Sequence, residues 1–224
     1  MLTGAGISAE SGVPTFRDAQ TGLWSQYRPE DLATPEAFAR DPQRVWQWYE
    51  WRRGLVGQAE PNPGHRALVE LAGRVPRLTL VTQNVDGLHQ RAGSRDVIEY
   101  HGNLFRDRCS VEQAVRERAT RSASGLPECA SCGALLRPDV VWFGEAIPRE
   151  AQRQADAAAA ACDVFLSIGT AAAVYPAAGL AAWAASCGSK IIEINLEPTG
   201  LTELADIALH GPAGQLLPSL IAAL

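Results

Sequence analysis

Four groups of residues in this 224-residue chain have types and spacings that could do chemistry. The first is Thr3-Gly4-Ala5-Gly6-Ile7-Ser8-Ala9, a G-x-G-x-x-A run of the dinucleotide-binding type. Glycines there let the backbone approach a pyrophosphate, and the helix start beyond them supplies N–H groups and a positive dipole end. Such turns also serve packing alone. The second is Gln83-Asn84-Val85-Asp86, which follows an apolar run. Amide and carboxylate groups at a strand end can read hydroxyls and amides by paired hydrogen bonds, and Asn84 or Asp86 can equally cap a helix. The third is Tyr49 and Arg52, spaced i, i+3 in Val45-Trp46-Gln47-Trp48-Tyr49-Glu50-Trp51-Arg52-Arg53. On a helix that spacing puts both side chains on one face, where a guanidinium fork beside a phenol suits a carboxylate. A surface arginine on an aromatic amphipathic helix has the same spacing. The fourth is Cys129-x-x-Cys132, with Cys109 upstream. Thiolates so spaced commonly bind zinc, which takes four tetrahedral ligands.

Elements able to position these groups follow from the apolar pattern. Residues 78–82, 97–100, 164–168 and 190–194 read as strands; 63–73, 149–161, 177–187 and 213–224 read as helices. Near-continuous apolar strands separated by helices indicate a parallel sheet covered on both faces. Such sheets bind ligands at the carboxyl ends of their strands, where Gly4, Gln83, Gly169 and Asn195 fall. The fold expected is a doubly wound, Rossmann-like α/β sheet. Residues 29–75, helical and rich in Trp, and 106–137, with clustered cysteines and charges, would form a smaller lobe. Residues 1–28, 76–105 and 138–224 would form the main domain.

Composition narrows the setting. With 25 acidic and 20 basic side chains the net charge is −5, which gives no support for nucleic-acid contact. No apolar run is long enough for a membrane span, and no secretory signal is evident. Five cysteines, an odd number, fit a reducing compartment, so a cytoplasmic location is expected.

Longer motifs add a resemblance. Gly4-Ala5-Gly6-Ile7-Ser8-Ala9-Glu10-Ser11-Gly12-Val13-Pro14-Thr15-Phe16-Arg17 resembles the signature of the sirtuins, NAD-dependent protein lysine deacylases. Gln83-Asn84-Val85-Asp86, His101-Gly102, the C-x-x-C, Val141-Trp142-Phe143-Gly144-Glu145, Gly169-Thr170-Ala171 and Asn195-Leu196-Glu197 follow in that family's order. The resemblance spans essentially the whole chain.

It implies that NAD is consumed as a co-substrate: the acyl group of an acylated protein or peptide lysine passes to ADP-ribose, and nicotinamide leaves. His101 matches the general base, a role suited to an imidazole that titrates near neutrality, with Asn84 and Asp86 beside it in the catalytic set. Gly4, Ala5, Gly6, Glu10, Phe16, Arg17, Gln83, Asn84, Asp86, Gly169, Thr170, Asn195, Glu197 and Ala213 match cofactor-binding positions. The family usually has Ser where this chain has Ala171, which would loosen its grip on the cofactor. His65, His89 and His210 are read as structural or surface residues. Val141, Trp142, Phe143, Gly144 and Glu145 resemble an edge that pairs with a substrate peptide. Tyr49 and Arg52, with the small Ala19, match the branch that removes malonyl, succinyl and glutaryl groups; removal of acetyl is expected as well. The family's structural zinc usually has four cysteines. Here Cys109, Cys129 and Cys132 remain, and Glu112 stands where the fourth would be. It could supply an oxygen, a water could fill in, or the lobe could stand without metal. The alternative activity is an NAD-consuming ADP-ribosyltransferase or glycohydrolase on the same scaffold. Few apolar residues precede Thr3, so the first strand is expected to be short.

Overall fold

Proline fixes the start of three consecutive helices. Pro35, Pro42 and Pro63 each occupy a first helical position, and Thr34, Asp41 and Asn62 cap the exposed N–H groups with side-chain oxygens. In the computed structural model, which describes residues 1–14, 27–117 and 125–224, the elements run as follows. Strand β1 (Leu2–Thr3) leads into a 3-10 turn (Ala5–Ser11), then α1 (Pro29–Leu32), α2 (Pro35–Arg40), α3 (Pro42–Gln58) and α4 (Pro63–Arg74). Next come β2 (Val81–Thr82), α5 (Leu88–Ala92), β3 (Ile98–Glu99), β4 (Gly102–Cys109), β5 (Val115–Glu117) and β6 (Leu136–Val140). The chain ends with α6 (Arg149–Ala160), β7 (Val164–Ile168), α7 (Gly179–Ser186), β8 (Lys190–Asn195), β9 (Ile207–His210) and α8 (Ala213–Ala222).

Six strands form one parallel sheet in the order β3-β2-β1-β7-β8-β9. The order reverses between β1 and β7, which is the switch point of a doubly wound fold. Helices cover both faces. On one side Leu2, Val81, Phe165 and Ile191 pack with Ala155, Ala159, Leu180 and Ala184 of α6 and α7. On the other, Ile7, Leu80, Ile168 and Ile194 pack with Ala67, Leu68 and Leu71 of α4 and with Leu217 and Ile221 of α8.

β2 and β3 are shorter than the apolar runs 78–82 and 97–100: Val81 and Thr82 pair with Leu2 and Thr3 on one side and with Ile98 and Glu99 on the other.

The expected division of the chain needs two corrections. Helix α4, grouped with 29–75, covers the parallel sheet. The boundaries at 105 and 137 cut strands, since β4 and β6 belong to a second, antiparallel sheet of order β5-β4-β6. The charges in Arg106-Asp107-Arg108 hid β4 from the apolar pattern, yet they are paired internally. Asp139, 1% exposed, accepts from Arg106 and Arg108. Asp107, equally buried, accepts from Arg53 at 2.6 Å. Helix α3 packs on this sheet through Val45, Trp46, Trp48 and Tyr49.

Arg53 also donates to the carbonyls of Leu104 and Arg106 and to Glu50, so each of its three nitrogens is bonded and it ties α3 to β4. Its removal takes the guanidinium away from the buried Asp107 carboxylate. Arg53→Met is expected to lower unfolding stability by about 3–5 kcal/mol, read from the urea midpoint, whereas replacing the exposed Arg28 leaves the midpoint unchanged.

Candidate NAD and acyl-lysine site

The loops that leave β1 and β7 meet backbone against backbone. Gly6 N–H donates to the Gly169 carbonyl at 2.8 Å, and Gly4 N–H donates to Ile168 at 3.0 Å. A Cβ on Gly6 would lie 2.7 Å from Gly169 Cα, and one on Gly169, whose φ is +59°, would lie 2.5 Å from Ile7 N. The glycines of the opening motif therefore serve first to bring two loops together at the switch point.

Polar side chains converge on this contact from the ends of the neighbouring strands. Asn84 Nδ2 donates to the Gly4 carbonyl at 3.0 Å and to Ser8 Oγ at 3.1 Å, and Ser8 donates to Asp86 Oδ2 at 2.7 Å. Asp86 Oδ1 accepts from Leu88 N–H, capping α5. Gln83 Nε2 reaches Thr170 Oγ1, and Asn195 Nδ2 reaches the Thr170 carbonyl, both at 2.9 Å. Burial raises the Asp86 carboxyl above the ordinary range, against the pull of its hydrogen bonds and of Arg52.

His101 lies between β3 and β4. Its Nδ1 is 3.1 Å from the Gln83 carbonyl, which can only accept, so Nδ1 carries the hydrogen and Nε2 the lone pair. Burial lowers its pKa, partly offset by that carbonyl, and the ring is neutral at pH 7. Gly102 follows because any Cβ there would lie 2.1 Å from the Asp139 carbonyl across β4 and β6.

Tyr49 and Arg52 lie near one another on α3. Tyr49, 2% exposed, has its pKa pushed up to about 12, chiefly by burial, so it remains a proton donor. The Arg52 guanidinium lies 5.0 Å from the Trp48 ring centroid; burial lowers its pKa, while Tyr49 and Asp86 raise it. The Asp86 interaction links this pair to the polar cluster around Gly4 and Ser8. Residues 141–145 continue from β6. Val141 N–H donates to the His101 carbonyl, Phe143 N–H to Ala33, Trp142 N–H to Glu145 and Glu145 N–H to Trp142. Gly144 N–H and the carbonyls of Val141 and Gly144 take no part in these bonds, and they are the groups an added strand could pair with.

Two cofactor candidates sit differently from expectation. Glu10 Oε2 accepts from Gly214 N–H at 2.6 Å, so Glu10 caps α8, whose first residue is Ala213. Glu197 is exposed beyond β8, and no hydrogen bond or ion pair joins it to the other described residues. Ala5 opens the 3-10 turn. Phe16, Arg17 and Ala19 lie outside the described residues.

Sequence reasoning passed over Ser8, His65 and His89 as parts of the site. His65 Nδ1 accepts a long hydrogen bond from Asn62 N–H, and its Nε2 faces Ser8 Oγ at 3.4 Å, joining the line Ser8–Asp86. His89 Nε2 contacts Thr3 Oγ1 at 2.9 Å, and its ring lies 4.9 Å from that of His65. The available signal was Asn62-Pro63-Gly64-His65, a capped helix start with a histidine at its third position. His210 is exposed at the end of β9.

Cys109, Glu112, Cys129 and Cys132 meet at the end of the antiparallel sheet, with one donor atom from each lying within 4.8 Å of the others. Cys109 Sγ is 3.5 Å from Cys132 Sγ, and Cys129 Sγ is 3.7 Å from Glu112 Oε2. Tetrahedral zinc at about 2.3 Å from sulfur requires donor separations of roughly 3.8 Å, so these residues fit the ion. The donor set is three thiolates and a carboxylate.

These features agree with what similarity to known proteins reports. The sequence profile of the Sir2 family matches residues 4–176. The chain belongs to the Sir2 family. A Sir2-family relative from Ralstonia nicotianae named NAD-dependent protein deacylase is 54% identical, over 99% of this chain and 90% of its own length. One of the same description from Thermococcus kodakarensis is 51% identical, over 98% and 88%. The crystal structure of a Sir2 homolog–NAD complex superposes with a TM-score of 0.93 at 48% identity, covering 99% of this chain and 87% of that one. A Sir2 protein bound to acetylated peptide gives 0.85 at 28% identity, covering 99% and 91%. No helix among the described residues is long and apolar enough to cross a membrane.

Two outcomes are expected. Burial holds His65 at about 4 and His89 at about 3, while the unfolded imidazoles bind protons near 6.5. Between those values the unfolded chain holds more protons, so stability is complete above about pH 6.5 and is lost as pH falls toward 4. Melting curves across that range should show the fall, and His65→Asn should flatten it. Elemental analysis should find one zinc per chain, abolished by Cys129→Ser and reduced by Glu112→Ala.

Proposed function

We infer that this Sir2-family chain is an NAD-dependent protein deacylase that acts on acylated lysine in proteins or peptides. The observation that carries this reading is His101. Its tautomer is fixed by the Gln83 carbonyl, and it stands beside the polar cluster of Gln83, Asn84 and Asp86 at the switch point. Bound NAD supplies an electrophilic ribose carbon and nicotinamide as the leaving group.

The chain's residues would act as follows. Neutral His101 accepts a proton at Nε2 from a ribose hydroxyl. Asn84 and Asp86, held by Gly4 and Ser8, orient the ribose and carboxamide, and Gln83, Thr170 and Asn195 line the adjoining part of the crevice. Gly4, Gly6 and Gly169 bring backbone close to the phosphates. Ala5, Phe16, Arg17, Glu197 and Ala213 complete the proposed contacts, and Glu10 supports Ala213 through its cap on α8. Gly144 N–H and the carbonyls of Val141 and Gly144 pair with the peptide.

The acyl group is read from Tyr49 and Arg52. A charged guanidinium and a protonated phenol on one face of α3 favour an acyl chain that ends in a carboxylate, so malonyl and succinyl removal accompanies acetyl removal.

The test follows peptide mass and released nicotinamide from matched acetyl-lysine and succinyl-lysine peptides with NAD. Both acyl groups should leave. His101→Tyr should abolish both, and Arg52→Met should reduce succinyl removal by about 10–100-fold, the loss of a charge-assisted bidentate contact, while sparing acetyl. Nicotinamide release with no change in peptide acylation would favour the transferase or glycohydrolase reading.

A further inference from the structure

Arg137 lies in β6, outside every set of residues assigned above, and is 4% exposed. Its Nη1 and Nη2 donate to the two carboxylate oxygens of Glu145, at 2.5 and 2.8 Å, and Nη2 also donates to the Val140 carbonyl at 2.6 Å. Its Cζ lies 3.5 Å from the centroid of the Trp142 ring. Glu145 Oε2 in turn accepts the Trp142 backbone N–H at 2.8 Å. Thus one guanidinium fixes Trp142 by its face directly and by its backbone through Glu145. The indole edge is used as well: Trp142 Nε1–H donates to Tyr49 Oη at 2.8 Å.

That last bond constrains a proton. A phenol O–H lies in the ring plane and has two favoured directions. The indole hydrogen already occupies the oxygen on its own side, so the Tyr49 hydroxyl hydrogen must point to the other. The Arg52 guanidinium is close enough to Tyr49 for each to act on the other electrostatically, so a carboxylate held by Arg52 would come within reach of that hydrogen. We propose that Arg137 is a positioning residue which, through Trp142, aims the Tyr49 hydroxyl at the acyl carboxylate and so sets the preference for acidic over neutral acyl groups. The proposal rests on the reading of Tyr49 and Arg52 as the acyl site. An acetyl group presents no carboxylate, so its removal does not draw on this bond.

Arginine suits the place because its planar fork can bridge a carboxylate and cover an indole at once. Lysine keeps an ion pair with Glu145 and loses the stack.

The experiment measures kcat and KM at saturating NAD for a succinyl-lysine peptide and the matched acetyl-lysine peptide. It compares the unaltered chain, Arg137→Lys, Trp142→Phe, Tyr49→Phe and the Arg137→Lys/Tyr49→Phe pair. Arg137→Lys should lower the succinyl-to-acetyl ratio of kcat/KM by about tenfold, mainly through KM, as should Trp142→Phe, which keeps one aromatic ring and removes the indole donor. In the Tyr49→Phe background Arg137→Lys should change the ratio no further. An equal loss for both peptides, an unchanged ratio, or the same fall without the Tyr49 hydroxyl would overturn the positioning role and leave the deacylase reading intact. If Arg137→Lys does not fold, by its melting curve, Trp142→Phe decides by the same criterion. Acetyl removal alone by the unaltered chain would overturn the acyl-site reading and this proposal together. No acyl removal at all would overturn the activity itself.

Discussion

The close approach of the β1 and β7 loops is the constraint on which the rest of the structure depends. Gly6 and Gly169 touch through their backbones, with no room for a side chain on either. That contact places the ends of β1, β2, β7 and β8 around one crevice, where Asn84 can reach Gly4, Gln83 can reach Thr170 and Asn195 can reach the Thr170 carbonyl. A sheet with the same strand order and a wider gap would keep its hydrophobic faces and lose this convergence. The site is a product of loop packing more than of any one strand.

The antiparallel sheet meets this crevice through ion pairs in each of which at least one partner is buried. Arg53 with Asp107, Arg106 and Arg108 with Asp139, and Arg137 with Glu145 form successive ion pairs along β4, β6 and the segment that follows. Buried pairs of this kind add little net stability over apolar packing, and they punish mispairing because an unmatched charge there is costly. Their arrangement fixes register, and register decides that His101, Trp142 and Tyr49 share a neighbourhood.

Much of this was legible in the sequence. The strands β7 and β8 are apolar runs bounded by turn residues, and Gln83, Asn84, Asp86, Tyr49 and Arg52 stand out by type and spacing. The antiparallel strands were not, because a periodicity argument treats Arg106, Asp107 and Arg108 as solvent-facing until their partners are known. β9, half-exposed at the sheet edge, carries too little apolar contrast to stand out. His65 and His89 look like isolated histidines in sequence. Only the fold brings Ser8 and Thr3 against them. The three cysteines were evident, and the place of Glu112 among them became geometric fact only when β4 and β6 aligned.

The sheet's central strand has a consequence for the order in which the chain can organise itself. Thr3 pairs with Thr82 on one side and with Ile168 on the other, so its second partner lies 168 − 3 = 165 positions away. A ribosome must therefore deliver the chain as far as β7 before the middle of the sheet can close. Until then the early segments wait with apolar faces uncovered. High contact order of this kind slows folding and lengthens the interval in which a nascent chain needs protection from aggregation.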